Sequence, residues 1–419
     1  MSAWKLQTLG EICDAGGGRI QTGPFGSQLH ESDYSEEGVP VVMPADIVRG
    51  QLDTRRIARI PEGKAYQLKR HFLKVGDIVY GRRGDIGRQA IIRKEHENWL
   101  CGTGCLKVSV GAKSAVSSAF LNRYLQSSDV IGWIQGQAIG ATMPNLNTDI
   151  LRRIPIYSPE TVDEQKKIAA VLSAYDELIE NNRRRIALLE KLAEEIYREW
   201  FVRLRFPGHE KVKLVKGVPE GWEPVLIGDL LRRVSPGKKY EQKSACETGR
   251  IPILDQGQTG IIGYHDDEPG VEASLAQPIV VFANHTCFQR LIFFPFSAIQ
   301  NVLPFLPSDE LKPNIYWLHM ATNGVVKLSD YKGHWPAFVS TRIYFPGSAL
   351  TDQFGEIAAP LFKQKLHLEK ANSALTQTRD LLLPRLISGK LSVEHLDIQF
   401  PPGMVESSAE SAKKPQKTL

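Results

Sequence analysis

Two segments of this 419-residue chain carry apolar residues at the alternating three- and four-residue spacing of a coiled-coil seam. The first segment runs from about Asp163 to Arg205. Its two tracks are Leu172, Ile179, Ile186, Ala193, Trp200 and Ile168, Tyr175, Asn182, Leu189, Ile196. The second segment runs from about Thr351 to Ser388. Its strong track is Phe354, Leu361, Leu368, Leu375, Leu382, and its weak track is Ala358, Lys365, Asn372, Arg379, Leu386. The spacing predicts two long helices.

Polar residues interrupt these apolar tracks, most visibly Asn182 and Asn372. A polar side chain in a coiled-coil seam lowers stability but can fix register and orientation. We therefore expect the polar positions of the weak track to find partners.

Each long segment ends one copy of a diverged internal repeat. The pattern W-x4-[LI]-G-[DE]-[IL] occurs at Trp4–Ile12 and again at Trp222–Leu230. Further matches follow in the same order: Val39–Val42 with Ile251–Leu254, Met143–Leu146 with Trp335–Phe338, and Ile168–Ala170 with Ile357–Ala359. Chance similarity among amphipathic segments is the alternative, and the shared order of the matches argues against it.

Composition indicates a soluble, two-domain protein. Hydrophobic residues make up 42% of the chain, which is enough for two cores. Neither a signal sequence nor an apolar stretch of membrane-spanning length is evident, so we expect a cytoplasmic protein that contacts no membrane. The five cysteines form no C-x-x-C pair and suit a reducing compartment. We expect no metal and no cofactor.

Short β-branched runs such as Ile78–Tyr80 and Ile279–Phe282 alternate with Gly, Pro, Asn and Asp clusters, which predicts strands. Helical patterns occur chiefly at 119–135 and 314–323. We therefore predict two α+β domains. The predicted boundaries are domain 1 at 1–158, helix 1 at 159–205, a linker at 206–221, domain 2 at 222–348, helix 2 at 349–392 and a disordered tail at 393–419.

Charge is distributed unevenly between the two domains. Residues 1–158 contain 20 Lys and Arg against 15 Asp and Glu, whereas residues 222–348 contain 11 against 12. Domain 1 is therefore the more evident candidate for binding a polyanion.

Several motifs together closely resemble the specificity subunits of type I restriction-modification systems. They are the duplicated W-x4-[LI]-G start, Thr22–Ser27, Gly76–Gly84, Asp163–Ile168, Tyr197–Phe201 and Arg379–Leu391. The resemblance covers nearly the whole chain except its tail. One departure is that Asp352–Gly355 replaces the fuller pattern of Asp163–Ile168 in the second copy.

The resemblance implies two target recognition domains separated by two long helices that form an antiparallel coiled coil with pseudo-two-fold symmetry. It also implies a noncatalytic subunit that recognises a bipartite target in double-stranded DNA. The implied protein partners are two methyltransferase subunits and, through them, the restriction and motor subunits. A helix of roughly 40 residues spans about 60 Å, more than the roughly 34 Å of one DNA turn.

In domain 1, the candidate DNA-binding residues lie mainly on a Gly-punctuated loop after a predicted strand. Arg82, Arg83 and Arg88 can each bind guanine or phosphate, and a solvated turn is the alternative. Thr142 and Asn145 could contact phosphate.

In domain 2, the candidates are amide, imidazole and guanidinium groups that can pair with base edges without net positive charge. They are Asn284, His285, Gln289, Arg290, Gln300, Asn301 and His334. For His285 and His334, hydrogen bonding within the core is the alternative.

Enzymatic interpretations find little support. The chain has no glycine fingerprint for a cofactor, no phosphate loop and no Pro-Pro motif suited to gripping a flipped base outside the predicted tail. Glu62–Lys64 with Asp46 loosely imitates a nuclease site, but E-x-K recurs elsewhere in this chain, in which charged residues make up 24%. The competing hypothesis is an assembly scaffold whose partners supply the DNA contact.

If the helices act as a ruler, insertion of one heptad into a helix should change the preferred spacer between the two half-sites. The measurement is the methylated target motif of the assembled complex before and after the insertion. An unchanged spacer would argue against the ruler.

Overall fold

In the computed structural model, the described residues are 3–82, 87–137, 145–257, 260–327 and 333–400. The chain forms two compact units. The first unit contains Met1–Glu180 and Asn372–Leu419, and the second contains Asn181–Ala371. Each unit therefore combines one domain with part of each long helix.

The first unit begins with a strand, a helix and a run of short strands. These are β1 (Trp4–Thr8), α1 (Leu9–Gly16), β2 (Arg19–Thr22), β3 (Val39–Val42), β4 (Ile47–Val48), β5 (Gln51–Leu52), β6 (Ala58–Ile60), α2 (Glu62–Gln67), β7 (Ile78–Gly81), β8 (Gln89–Ile91), β9 (Leu100–Cys101) and β10 (Cys105–Ser109). Three helices and a strand follow: α3 (Ser118–Tyr124), α4 (Ser128–Gln137), α5 (Thr148–Arg152) and β11 (Pro155–Pro159). The first long helix, α6 (Val162–Tyr197), starts here and continues into the second unit.

The second unit has a similar order of elements. They are β12 (Leu214–Val215), β13 (Val218–Pro219), β14 (Glu223–Leu226), α7 (Ile227–Leu230), β15 (Leu231–Arg233), β16 (Lys239–Tyr240), β17 (Ile251–Leu254), β18 (Ile261–His265), β19 (Ile279–Ala283), β20 (Gln289–Ile292), β21 (Ser297–Ile299), β22 (Val302–Pro307), α8 (Ile315–Thr322), α9 (Trp335–Ser340) and β23 (Arg342–Phe345). The second long helix, α10 (Ser348–Ile387), starts in this unit.

Sheet topology confirms the α+β class and the internal duplication. The first unit has a sheet of order β2-β10-β7-β8, and the second has β15-β22-β19-β20, with antiparallel neighbours in both. A second sheet in each unit contains parallel pairing, β3 with β9 in the first unit and β21 with both β16 and β17 in the second. The matched sequences Val39–Val42 and Ile251–Leu254 form β3 and β17, so the repeat in sequence is a repeat in structure.

Local sequence signals fix several element ends. Thr8 caps α1 by accepting from the Glu11 backbone N–H at 3.2 Å, and the Glu11 carboxylate accepts from the Thr8 N–H at 2.8 Å. Gly17 ends this helix at φ +73°, in the left-handed region that favours glycine. Asn314 caps α8 in the second unit by accepting from the Tyr316 N–H at 3.1 Å.

Both units bury parts of the long helices against a domain core. In the first unit, Ile168 and Leu172 of α6 and Leu386 of α10 pack with Phe120 in one apolar cluster. In the second unit, Ala193 of α6 and Phe354 and Ala358 of α10 pack with Trp317 and a set of phenylalanines. The heptad tracks thus serve two purposes, since they cover the partner helix and close a domain core.

The helices pair antiparallel within each unit. In the first unit, the Asn372 amide donates to the Ile179 carbonyl at 3.3 Å, and Arg379, one heptad later, contacts Asp176. In the second unit, Lys365 contacts Glu190 at 2.5 Å, whereas Phe354 contacts the ring of Trp200, which lies in the π-helical turn after α6. Polar residues of the weak track therefore have partners on the facing helix, as their sequence pattern predicts.

A cluster of charged groups joins domain 1 to both long helices in the first unit. Asp176 of α6 accepts from the Arg379 guanidinium of α10 at 2.6 Å and from the Arg123 guanidinium of α3. Arg123 also donates to the Ser173 hydroxyl at 3.1 Å. The side chains of Arg123 and Asp176 are 14% and 16% exposed, so little solvent weakens this pair.

The structure differs from the predicted boundaries at two places. Within the predicted linker, β12 and β13 form a hairpin whose turn residues Lys216 and Gly217 both have positive φ. Within the predicted tail, Val393 is buried in the core of the first unit because it is apolar and follows the end of α10 closely. Residues 401–419 lie outside the described part of the chain.

Replacement of Asp176 by Asn should lower the free energy of unfolding by about 2 to 4 kcal/mol, because Arg123 loses its carboxylate partner while Arg379 retains its pair with Asp380. The measurement is denaturant unfolding followed by fluorescence and circular dichroism. The matched control is Asp163→Asn on the same helix, since Asp163 pairs with Lys167 at 3.2 Å but has a side chain that is 69% exposed. That control should change stability by less than about 1 kcal/mol. If both variants lower the free energy of unfolding by the same amount, the Arg123–Asp176 pair does not stabilise the unit as proposed.

Candidate nucleic-acid interface

Three strand-end segments meet in the first unit, and we call them the first loop cluster. They are residues 43–46 after β3, residues 82 and 87–88 between β7 and β8, and residues 102–104 between β9 and β10. The Gly102 N–H donates to the Val42 carbonyl at 2.9 Å, and the Arg82 N–H donates to the Gly104 carbonyl at 2.8 Å. Backbone bonds therefore hold these loops together.

The structure brings two of the predicted site residues of domain 1 together. The Arg82 Nε donates to the Asn145 side-chain oxygen at 3.1 Å, and the Arg82 carbonyl accepts from the Leu146 N–H at 3.0 Å. Arg82, Arg88 and Asn145 are half-buried. Arg83 and Thr142 lie outside the described residues.

Residues 43–46 pack closely against the other loops of this cluster. The Asp46 carboxylate accepts from the Met43 N–H at 2.8 Å, and burial raises the pKa of Asp46. A Cβ built on Gly104, where φ is +82°, would meet the Pro44 ring at 3.4 Å. Apolar packing, backbone geometry and the Asp46 carboxylate thus hold these residues in place.

The second unit contains an equivalent arrangement, which we call the second loop cluster. It consists of residues 255–257 after β17, residues 284–288 between β19 and β20, and residues 300–301 between β21 and β22. The Asn284 N–H donates to the Asn301 carbonyl at 2.9 Å, and the Asn284 carbonyl accepts from the His334 N–H at 3.1 Å.

The two clusters share a pattern of backbone hydrogen bonds, although the N–H groups of Leu146 and His334 do not stand at matched positions of the repeat. Asn284 makes the bonds that Arg82 makes in the first unit, and Asn301 takes the place of Gly104. Asn301 and Gly104 both have positive φ, +68° and +82°. Arg82 of the first candidate set and Asn284 of the second therefore lie at equivalent loop positions of the repeated fold.

Three predicted residues of domain 2 have their polar groups engaged inside the unit. Gln289 is 5% exposed, and its amide contacts His319 Nδ1 at 3.1 Å, the His319 carbonyl at 2.9 Å and the Thr322 hydroxyl at 3.0 Å. His334 is 3% exposed and lies 2.9 Å through Nδ1 from the Asn284 carbonyl. The Asn284 side-chain oxygen accepts from the Trp335 N–H at 2.8 Å. These placements favour the hydrogen-bonding alternative for His334.

Arg290 is also engaged with the protein. Its guanidinium donates to the Asp255 carbonyl at 2.7 Å, and burial lowers the pKa of Arg290. Gly260 has φ +81°, which favours glycine, and a Cβ there would displace the Arg290 guanidinium, whose Nη1 would lie 1.7 Å away. Arg290 thus supports the loop after β17.

His285 and Gln300 are the exposed members of the predicted set in domain 2. Both contact Gln256, which the sequence analysis missed. The His285 N–H donates to Gln256 Oε1 at 2.9 Å, and Gln256 Nε2 lies 3.4 Å from the Gln300 carbonyl. The turn sequence Asp255-Gln256-Gly257 directly after a strand was the available signal for this residue.

Among the described ranges, no group of three His, Cys, Asp or Glu residues is arranged to hold a metal ion. Burial raises the pKa of the Cys101 thiol to about 12, so this thiol is a poor nucleophile. Within the same ranges, no helix has the length and apolarity needed to cross a membrane. What the loop clusters can supply is hydrogen bonding and, in the first unit, positive charge.

Comparisons with known proteins identify the family that this chain resembles. Residues 1–191 match the family described as "Type I restriction modification DNA specificity domain". The chain is 24% identical to the type I restriction enzyme MjaIX specificity subunit of Methanocaldococcus jannaschii, over 94% of each chain. It is 21% identical to the HindI specificity subunit of Haemophilus influenzae, over 76% of this chain and 87% of that one.

A solved structure shares the fold. The type I S subunit from M. genitalium superposes with a TM-score of 0.57 at 19% identity, over 92% of this chain and 96% of that one. The duplicated loop clusters, the long helices and the matched family lead to one conclusion. In sequence and fold, the chain is similar to the specificity subunits of type I restriction-modification systems.

Proposed function

We propose that the two loop clusters each contact one half of a bipartite target in double-stranded DNA. The observation that carries this proposal is the correspondence of their backbone hydrogen bonds, with Arg82 and Asn284 at the same position. A repeated backbone with different side chains is what reading two different half-sites would require. Base edges in the major groove present distinct donor and acceptor patterns to such side chains.

The separation of the half-sites is proposed to depend on the two long helices. The helix α6 has 36 residues and α10 has 40, so they measure about 54 Å and 60 Å at 1.5 Å per residue. Both helices contribute residues to both units. Salt bridges such as Lys365 with Glu190 resist sliding of one helix along the other.

We further propose that two methyltransferase subunits dock on the chain and that restriction subunits join through them. This rests on the family resemblance and on exposed apolar side chains of the long helices. Leu188 and Leu192 are four residues apart on α6 and are 66% and 48% exposed. Exposed leucines on one helix face are typical of a protein contact surface.

The competing function is an assembly scaffold whose partners supply the DNA contact, and the near-neutral domain 2 favours it. Selection from a pool of random duplexes distinguishes the two functions. The purified full chain should enrich a bipartite motif with and without added methyltransferase subunits. If enrichment is independent of this chain's loop residues, the scaffold is supported instead.

Replacement of Arg82 by Ala should relax base preference within one half-site and leave the other half-site unchanged, because its Nε is fixed by Asn145 and its terminal nitrogens can reach a base. The measurement is enrichment from the random pool. The matched control is Arg55→Ala in the same unit, because the side chain of Arg55 is 86% exposed and pairs with Asp53. A uniform loss of affinity with a salt slope lower by about one would assign Arg82 to phosphate instead.

Replacement of Gln289 by Leu should lower the free energy of unfolding by about 2 kcal/mol and leave the enriched motif unchanged, because the buried groups of His319 and Thr322 lose a partner. The control is His285→Ala, an exposed position that should change stability by less than about 0.5 kcal/mol. Thermal and denaturant unfolding measure both. An altered motif at unchanged stability would return Gln289 to the DNA-binding set.

A further inference from the structure

One side chain, Gln256, connects all three segments of the second loop cluster. Its Oε1 accepts from the His285 N–H at 2.9 Å, and its Nε2 lies 3.4 Å from the Gln300 carbonyl. Its own backbone carbonyl accepts from the Thr286 hydroxyl at 2.5 Å. The first loop cluster has Pro44, which lacks an amide, at the corresponding place beside Gly104.

The hydrogen bonds also fix how the Gln256 amide is oriented. A backbone N–H can only donate, so the Gln256 atom facing the His285 N–H is the oxygen. The amide nitrogen then faces the His285 ring, where Nδ1 lies 3.4 Å away. An amide nitrogen is a donor, so Nδ1 of His285 must accept.

A neutral imidazole that accepts through Nδ1 carries its proton on Nε2. His285 is exposed, so its ring is accessible to a ligand. Of the other residues predicted for domain 2, Gln289 and His334 are buried and Arg290 is held by the Asp255 carbonyl, whereas Gln300 is exposed like His285.

We propose that His285 is a specificity-determining residue and that Gln256 is its positioning residue. Gln256 holds the imidazole in the tautomer that offers an Nε2–H donor, which would select a base with an acceptor on its major-groove edge. Guanine offers two such acceptors, N7 and O6. This inference rests on the proposed function and names one residue pair that performs it.

The test is selection from a pool of random duplexes by the full chain together with type I methyltransferase subunits. His285→Ala should reduce the preference at one position of one half-site by about tenfold, without altering the other half-site. Gln256→Glu should alter the same position, because a carboxylate accepts a hydrogen bond and favours the proton on Nδ1.

A double variant separates positioning from general support of the loops. Because Gln256 acts through His285, Gln256→Glu should change the motif by less than about twofold when His285 is already Ala. The matched control is Gln242→Glu, an exposed glutamine of the same unit with the same change of charge, which should leave the motif intact.

The outcomes separate this inference from the proposed function. If the wild-type complex enriches no bipartite motif, both are overturned. If the wild type enriches a motif that His285→Ala leaves unchanged, this inference alone is overturned. This inference alone is also overturned if Gln256→Glu alters positions of the enriched motif that His285→Ala leaves unchanged. His285→Ala removes an exposed side chain, so it decides the question even if Gln256→Glu fails to fold.

Discussion

Leu172 and Leu386 in the first unit, and Ala193 and Phe354 in the second, are buried where the long helices meet a domain core. An apolar stripe on a helix is stable in water only when something covers it. In this chain the stripe is covered on one side by the facing helix and on the other by the domain. Neither a domain nor a helix is therefore complete without the other, which explains why the compact units cut through both helices.

The two copies of the repeat keep the same backbone geometry in their loops but differ in the side chains there. Gly104 and Asn301 adopt the same left-handed conformation, and their carbonyls accept from Arg82 and Asn284. Glycine and asparagine are the residues that tolerate this conformation best. Since these bonds use main-chain atoms, the side chains at the neighbouring positions are free to diverge. A fold that holds its loops in this way can change its ligand without changing its architecture.

Local periodicity made the long helices and the strands predictable, and the shared order of weak matches made the duplication predictable. Side-chain roles within the loops were harder, as Gln289 and His285 show. Both are polar residues of one polar cluster in the sequence, yet one begins a strand and faces the core whereas the other lies at the turn. Gln256 was missed because its partners lie 29 and 44 residues away, and no local pattern encodes such contacts. The hairpin in the predicted linker, in contrast, had a local signal in Lys216-Gly217.

Because the two domains differ in charge, the two loop clusters depend on different kinds of interaction to bind a ligand. Domain 1 has an excess of Lys and Arg, and attraction between such charges and phosphates acts over about 10 Å and tolerates imprecise placement. Domain 2 has no such excess, so under the proposed function its contribution to DNA binding comes from short, directional hydrogen bonds. These bonds add to affinity only when the groups are held in place before binding, because ordering a free loop opposes association. A glutamine that ties three loops together is therefore more useful in domain 2, and there the structure has Gln256 where domain 1 has Pro44.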